Sequence, residues 1–159
     1  MAGEMKDLRE LQAEYHTVTE EKLIVGALVE TVLSEEDGLV FKDNRTSKPK
    51  KIIIVGTDRE CAICFGSILV NTNMSPQAEY SDEHLAAQYL LKKENYPDFL
   101  KYDSFVDCAK VFSIPIKKLL SGQYFGQLNE EDIAGIFEIL ETSDTLTTKQ
   151  KKRFGIRRR

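Results

Sequence analysis

Cysteine and histidine are scarce in this 159-residue chain: Cys61, Cys64 and Cys108, with His16 and His84, are all it has. An odd number of thiols with no export signal ahead of them argues against a disulfide framework, so the cysteines read as reduced thiols. The CAIC run (61–64) has the spacing of a redox pair or of half a zinc site. A zinc site would need its remaining ligands from Cys108, His16 and His84, and a redox pair should open a helix. CAIC instead reads as strand, where positions three apart point to opposite faces. Buried structural cysteine is the expectation, with no metal and no cofactor. Two histidines also offer little for a Ser/His/Asp or Cys/His nucleophile.

Long apolar runs are missing too. The longest, Leu23 to Val29 and Cys61 to Val70, fall well short of the roughly 18 residues a membrane span requires. The N-terminus opens on Glu4, Lys6, Asp7, Arg9 and Glu10 and has no apolar centre of a secretory signal. A cytoplasmic location is therefore expected, with no membrane partner. No phosphate-cradling glycine loop is present, because Gly56, Gly66, Gly122 and Gly126 are too far apart. There is no internal repeat.

What is there is the balance of a globular domain, 42% hydrophobic and 30% charged. A chain of this length suits one core, burying roughly 70% of the surface it exposes when unfolded. The formal net charge of −4 conceals an asymmetry. Residues 1–40 carry ten carboxylates against Lys6, Arg9 and Lys22, whereas residues 149–159 hold Lys149, Lys151, Lys152, Arg153, Arg157, Arg158 and Arg159 and no acid. The basic end reads either as a contact for an anionic partner or as a solubilising tail.

Met5, Leu8, Leu11 and Tyr15 recur at helical steps near the N-terminus and predict an amphipathic helix that packs one stripe. Leu23 to Leu33 is β-branched and strand-like, with a bend or bulge expected at Gly26. SEEDGLVFKDNRTSKP (34–49) has no period and reads as a long connection, of the kind that is functional or disordered. Lys51–Thr57 and Glu60–Val70 then form a hairpin across Asp58 and Arg59. Both alternating sets of its second arm are mostly apolar, which predicts a strand covered on both faces at the centre of the core. Residues 81–93 fit a capped helix or a strand through Tyr89–Leu91 equally well. Ser104–Val106 reads as a short strand, and Ile116–Leu120 as a helical turn stopped by Gly122. Asn129–Leu140 is the clearest helix: Asn129 caps it, Asp132 stands three residues on, and Ile133, Ile136, Phe137 and Leu140 make one stripe. A last helix is expected from Thr147 to Phe154, ended by Gly155.

The stretch RTSKPKKIIIVG (45–56) sets Arg45, Lys48, Lys50 and Lys51 against an apolar run. It is either a solvated strand entrance or a grip on an anion, and its place at a loop end is where scaffolds hold functional groups. The carboxylates Glu35, Glu36 and Asp37 read as a solvated face, and Glu130, Glu131 and Asp132 as partners of a helix dipole.

Residues 102–140, YDSFVDCAKVFSIPIKKLLSGQYFGQLNEEDIAGIFEIL, resemble the closing segment of the MazF/PemK/Kid toxins: a serine-led strand, a short basic turn, a G-x-L step and a capped terminal helix. Upstream, VGALVETVL (25–33), the long loop and KPKKIIIVG (48–56) are similar to that family's opening strand, first loop and proline-led strand. The resemblance covers about residues 24–142. It implies a mainly β, α+β fold: an SH3-like, PemK-type twisted β-barrel with a C-terminal helix, to which this chain adds an N-terminal helix. It implies a homodimer that cuts single-stranded RNA without metal and is silenced by an antitoxin. Where the family has an arginine before the strand's proline this chain has Lys48, which lacks the planar fork that holds two phosphate oxygens. Arg45, in the loop, is expected to reach the same place. The family's second position, a threonine or serine after the next strand, falls near Asn71, Thr72, Asn73 and Ser75.

The expected organisation is thus an N-terminal helix (1–20), a barrel domain (21–146) and a basic tail (147–159). The expected function is single-stranded RNA binding with metal-independent endoribonuclease chemistry. Lys48 and Arg45 would be the electrostatic stabilisers and Thr72 the hydroxyl. Lys50, Lys51, Arg59, Asn71, Asn73, Ser75, Lys152 and Arg153 would contact RNA. The alternative is a nucleic-acid or protein binding module that kept the barrel and lost the chemistry.

Overall fold

The computed structural model describes residues 8–37, 47–71, 85–143 and 146–154. In chain order it has α1 (Leu8–His16), β1 (Ala27–Ser34), β2 (Ser47–Asp58), β3 (Ile63–Asn71), β4 (Gln88–Leu91), β5 (Ser104–Asp107), β6 (Phe112–Pro115), α2 (Ile116–Leu120), β7 (Gln123–Gln127), α3 (Glu130–Thr142) and α4 (Thr148–Arg153). The strands form a seven-stranded sheet in the order β4-β5-β3-β2-β1-β7, with β6 also pairing β3, and every pairing is antiparallel. The mixed α+β fold is therefore as expected, and the sheet is open, because β4 and β7 do not pair.

The β2–β3 hairpin is the centre, covered on both faces as its two apolar sets require. Ile52, Ile54, Cys64 and Ile68 enter one core with Val29, Leu33, Phe112, Ile114, Ile116 and Leu119. Ile53, Val55 and Phe65 enter a second core with Leu28, Val106, Ile136, Leu140 and Phe154. Burying such side chains contributes about 1.5 to 3 kcal/mol each.

Three boundaries differ from the sequence reading. β1 begins at Ala27 rather than Leu23, because Gly26 turns the chain at φ +92° and ties it to its neighbours: its N–H donates to Ile54 O at 2.7 Å and its carbonyl accepts from Leu128 N at 2.9 Å. A Cβ there would also meet Gln127 Nε2 and Ile133 Cδ1 at 2.4 Å. β2 begins at Ser47, inside the expected connection, since Ser47–Lys50 pair with Ser34–Thr31 of β1. Cys61 and Ala62 lie in the hairpin turn and not in the strand, with Ala62 at φ 53°. Cys61 is accordingly exposed, against the expectation of a buried pair, while Cys64 is buried as expected and Cys108 is buried too.

Residues 88–91 took the strand option. The short strands β6 and β7 were not foreseen, although FSIP alternates buried and exposed as a strand should. α3 is capped as expected, Asn129 accepting from Asp132 N at 2.8 Å, and α4 carries a capping box between Thr147 and Gln150. Far from trailing free, α4 plants Phe154 against Phe65, with ring centroids 4.8 Å apart. The expected packing stripe of α1 fails at Leu8 and Tyr15, which are 77% and 53% exposed. Among the described side chains, contacts of the last turn tie α1 down. His16 Nδ1 donates to Tyr124 O at 2.8 Å, and Lys22 Nζ donates to the carbonyls of Glu14, Tyr15 and Thr17.

Candidate nucleic-acid interface

Because side chains alternate along a strand, the three lysines at the start of β2 cannot share a face. Lys48 and Lys50 stand across from Leu33 and Thr31 of β1, both buried, whereas Lys51 stands across from Glu30 on the opposite face. Lys51 Nζ lies 5.3 Å from the Phe125 ring centroid, a cation–π contact. Among the described residues neither Lys48 nor Lys50 forms an ion pair with a carboxylate. Burial pushes the Lys50 ammonium below its usual pKa, and the like charge of Lys48 adds to the shift. Two positive groups are therefore held together on one face of a strand end.

α2 lies over that same face, since its Ile116 and Leu119 belong to the core that Thr31's neighbours Val29 and Leu33 line. The buried Thr31 hydroxyl donates to Lys118 O at 3.0 Å, fixing α2 against β1. The Lys118 ammonium in turn meets Asp37 Oδ2 at 2.5 Å. Asp37 also accepts from Ser34 N at 2.8 Å and from Ser34 Oγ at 3.3 Å. Partial burial alone would raise the Asp37 carboxyl, but the bonds from Lys118 and Ser34 outweigh it and hold the group below the usual carboxylate range. Asp37 is thus an engaged carboxylate and not part of a solvated face, with Glu35 and Glu36 alone remaining exposed. The sequence signal for this was the Lys117–Lys118 pair, which the basic-turn resemblance noted without giving it a role.

The other candidates do not gather here. Arg59 sits in the hairpin turn and donates to Glu20 O and Leu23 O, at 3.3 and 3.1 Å, which ties the turn to the segment before β1. Arg153 pairs with Asp58 at 2.8 Å and stacks 5.0 Å from the Phe65 ring centroid. Lys152 is exposed on α4. Asp58 lies ten positions along β2 from Lys48, on the order of 33 Å of extended chain. A bulge between Ile54 and Gly56 also turns the later residues onto the other face. Arg153 is thereby held toward the far end of β2 from Lys48 and Lys50. Asn71 ends β3, opposite Ser104. Arg45, Thr72, Asn73 and Ser75 lie outside the described residues.

An open pocket of about 180 Å³ flanks the strand end, lined by Glu30, Thr31, Val32, Pro49 and the Ser121–Gln123 turn. No helix among the described residues is long and apolar enough to cross a membrane.

The architecture at this point is an α+β protein built on a seven-stranded antiparallel sheet with a capped C-terminal helix. No family model and no curated protein matches the chain. Among solved structures it is similar to the Mycobacterium tuberculosis toxin MazF-mt6, at 14% identity and a TM-score of 0.49, over 75% of this chain and 97% of that one. A likeness of that depth decides neither family nor chemistry.

Proposed function

We propose that the chain is a MazF/PemK-like single-stranded RNA-binding protein whose contact surface is the open end of the β1–β2 pair. The observation that carries the reading is the juxtaposition of Lys48 and Lys50 on one face, without a carboxylate ion-pair partner among the described residues. Two adjacent ammonium groups suit consecutive phosphates of a flexible strand, and binding of that kind draws most of its free energy from released counterions. Lys51, one position on, lies on the opposite face with the exposed Pro49 and so stands apart from that pair. In the cleavage form of this reading, Lys48 with Arg45 stabilises the charge that develops on the phosphorane and Thr72 supplies the hydroxyl. Binding without chemistry is the second reading, favoured by Lys48 itself, since a lysine cannot clamp two phosphate oxygens as an arginine does. The sequence resemblance also carries a homodimer and an antitoxin-like partner into the proposal.

The test is a gel-shift and cleavage assay with mixed-sequence RNA in EDTA, comparing wild type with Lys48→Ala and Lys50→Ala. Shifted RNA for wild type and weakened binding for both variants is the expected result. RNA cut by wild type and left intact by Lys48→Ala selects the enzyme reading. Wild type that neither shifts nor cuts RNA at low salt removes both. Light scattering of the same preparation reads the oligomeric state.

A further inference from the structure

Resting on the RNA-binding reading, we propose that Lys118 is a third phosphate-binding cation of the same rim and that Asp37 masks it as a built-in competitor for RNA. The placement follows from the register. Thr31, whose hydroxyl bonds the Lys118 carbonyl, is the cross-strand partner of Lys50, and Ser34, whose N–H and hydroxyl hold Asp37, is one residue beyond the partner of Lys48. α2 covers the face from which Lys48 and Lys50 project. Lys118 and Asp37 thus close the end of one row of cations, 81 residues apart in sequence.

The ion pair is sheltered on its acidic side. The Asp37 side chain is 7% exposed and the Lys118 side chain 29% exposed, so the lysine is the partner more open to an incoming anion. Asp37 is held in place by Ser34 independently of Lys118 and so stays beside the ammonium as a fixed counter-charge. A phosphodiester arriving at Lys48 and Lys50 competes with a carboxylate for Lys118. The masked lysine lowers affinity and leaves the rim selective for strands that bind strongly enough at the other two cations.

Salt dependence of RNA affinity reads this directly, because each phosphate contact to a single strand contributes about 0.7 to the slope of log K against log salt. Asp37→Asn keeps an acceptor for Ser34 and removes the charge. It is expected to steepen the slope by about 0.7 and to tighten binding several-fold at low salt. Lys118→Gln in the wild-type background leaves the slope unchanged, since a masked lysine contributes no contact, and Asp37→Asn combined with Lys118→Gln loses the gain. Glu36→Gln removes the same charge one residue away and serves as the control for a general effect. A gain that survives in the double variant, or that Glu36→Gln reproduces, overturns the proposal. So does a slope loss of about 0.7 in Lys118→Gln alone, a readout that does not depend on Asp37→Asn folding. Failure here with wild type still binding RNA leaves the RNA reading standing, whereas a wild type that does not bind takes both down.

Discussion

Tyr96→Phe probes the contact that fastens α3 to the β4–β5 side of the sheet. The Tyr96 hydroxyl donates to Asp132 Oδ2 and accepts from Asn129 N at 3.0 Å, while Tyr89 OH donates to Asp132 Oδ1 at 2.6 Å. Asp132 is only 9% exposed and sits in the first turn of α3, so its charge is held by two phenols and the helix N-terminus. Removing one hydroxyl deletes a charge-assisted hydrogen bond, about 1.5 to 3 kcal/mol. Tyr89 keeps the carboxylate partly satisfied, and the phenylalanine ring retains the packing of Tyr96 on Phe99, 5.0 Å between centroids. The expected loss is about 2 kcal/mol, which in a chain of this size lowers Tm by roughly 4–8 °C.

Urea denaturation measures it as a fall in midpoint at constant m-value. A loss under about 0.5 kcal/mol would refute the assignment of Asp132 as an anchored charge. Alkaline pH supplies an independent check. Burial first, and then the Asp132 carboxylate, raise both phenol pKa values far above the ordinary tyrosine value of 10. The folded chain then holds protons that the unfolded chain releases, so this stability is complete below about pH 10 and declines as pH rises further. Tyr96→Phe has one such group fewer and a shallower decline.

Two further outcomes follow from the packing. Thiol labelling of the native protein is expected to modify Cys61 quickly and to leave Cys64 and Cys108 untouched until denaturant is added. Cys61 is exposed, whereas burial excludes the reagent from the other two and pushes their thiols up to about 11 and about 12. Three fast thiols in the native state would contradict the hairpin placement. Phe154→Ala should cost about 3 kcal/mol by chemical denaturation, because the ring fills the second core beside Phe65. An unchanged midpoint would mean that α4 does not belong to the core. The same docking makes removal of residues 149–159 a poor test of RNA contact, and Lys152→Glu the cleaner one.

Local chemistry was legible from the chain alone. The Asn129 cap with its apolar stripe, the short helix after Thr147, the bend at Gly26 and the two-sided apolar pattern of β3 each depend on residues a few positions apart, and each is in the structure. β6 and β7 are strands by virtue of their pairing with the distant β3 and β1, which a stretch of four or five residues does not announce by itself.

The amino-acid sequence by itself thus determined the α+β class, the hairpin at the centre and the clustering of lysines before an apolar run. Only the tertiary structure decided which charges face one another. Strand alternation put Lys51 on the opposite face from Lys48 and Lys50, Arg59 and Arg153 were drawn to carbonyls and to Asp58, and Asp37 was joined to Lys118 across 81 residues. The physical reason is that caps and periods are set by contacts within a turn or two of the chain. Which charges face one another is set instead by strand register, which is fixed when distant segments bury their apolar sides together.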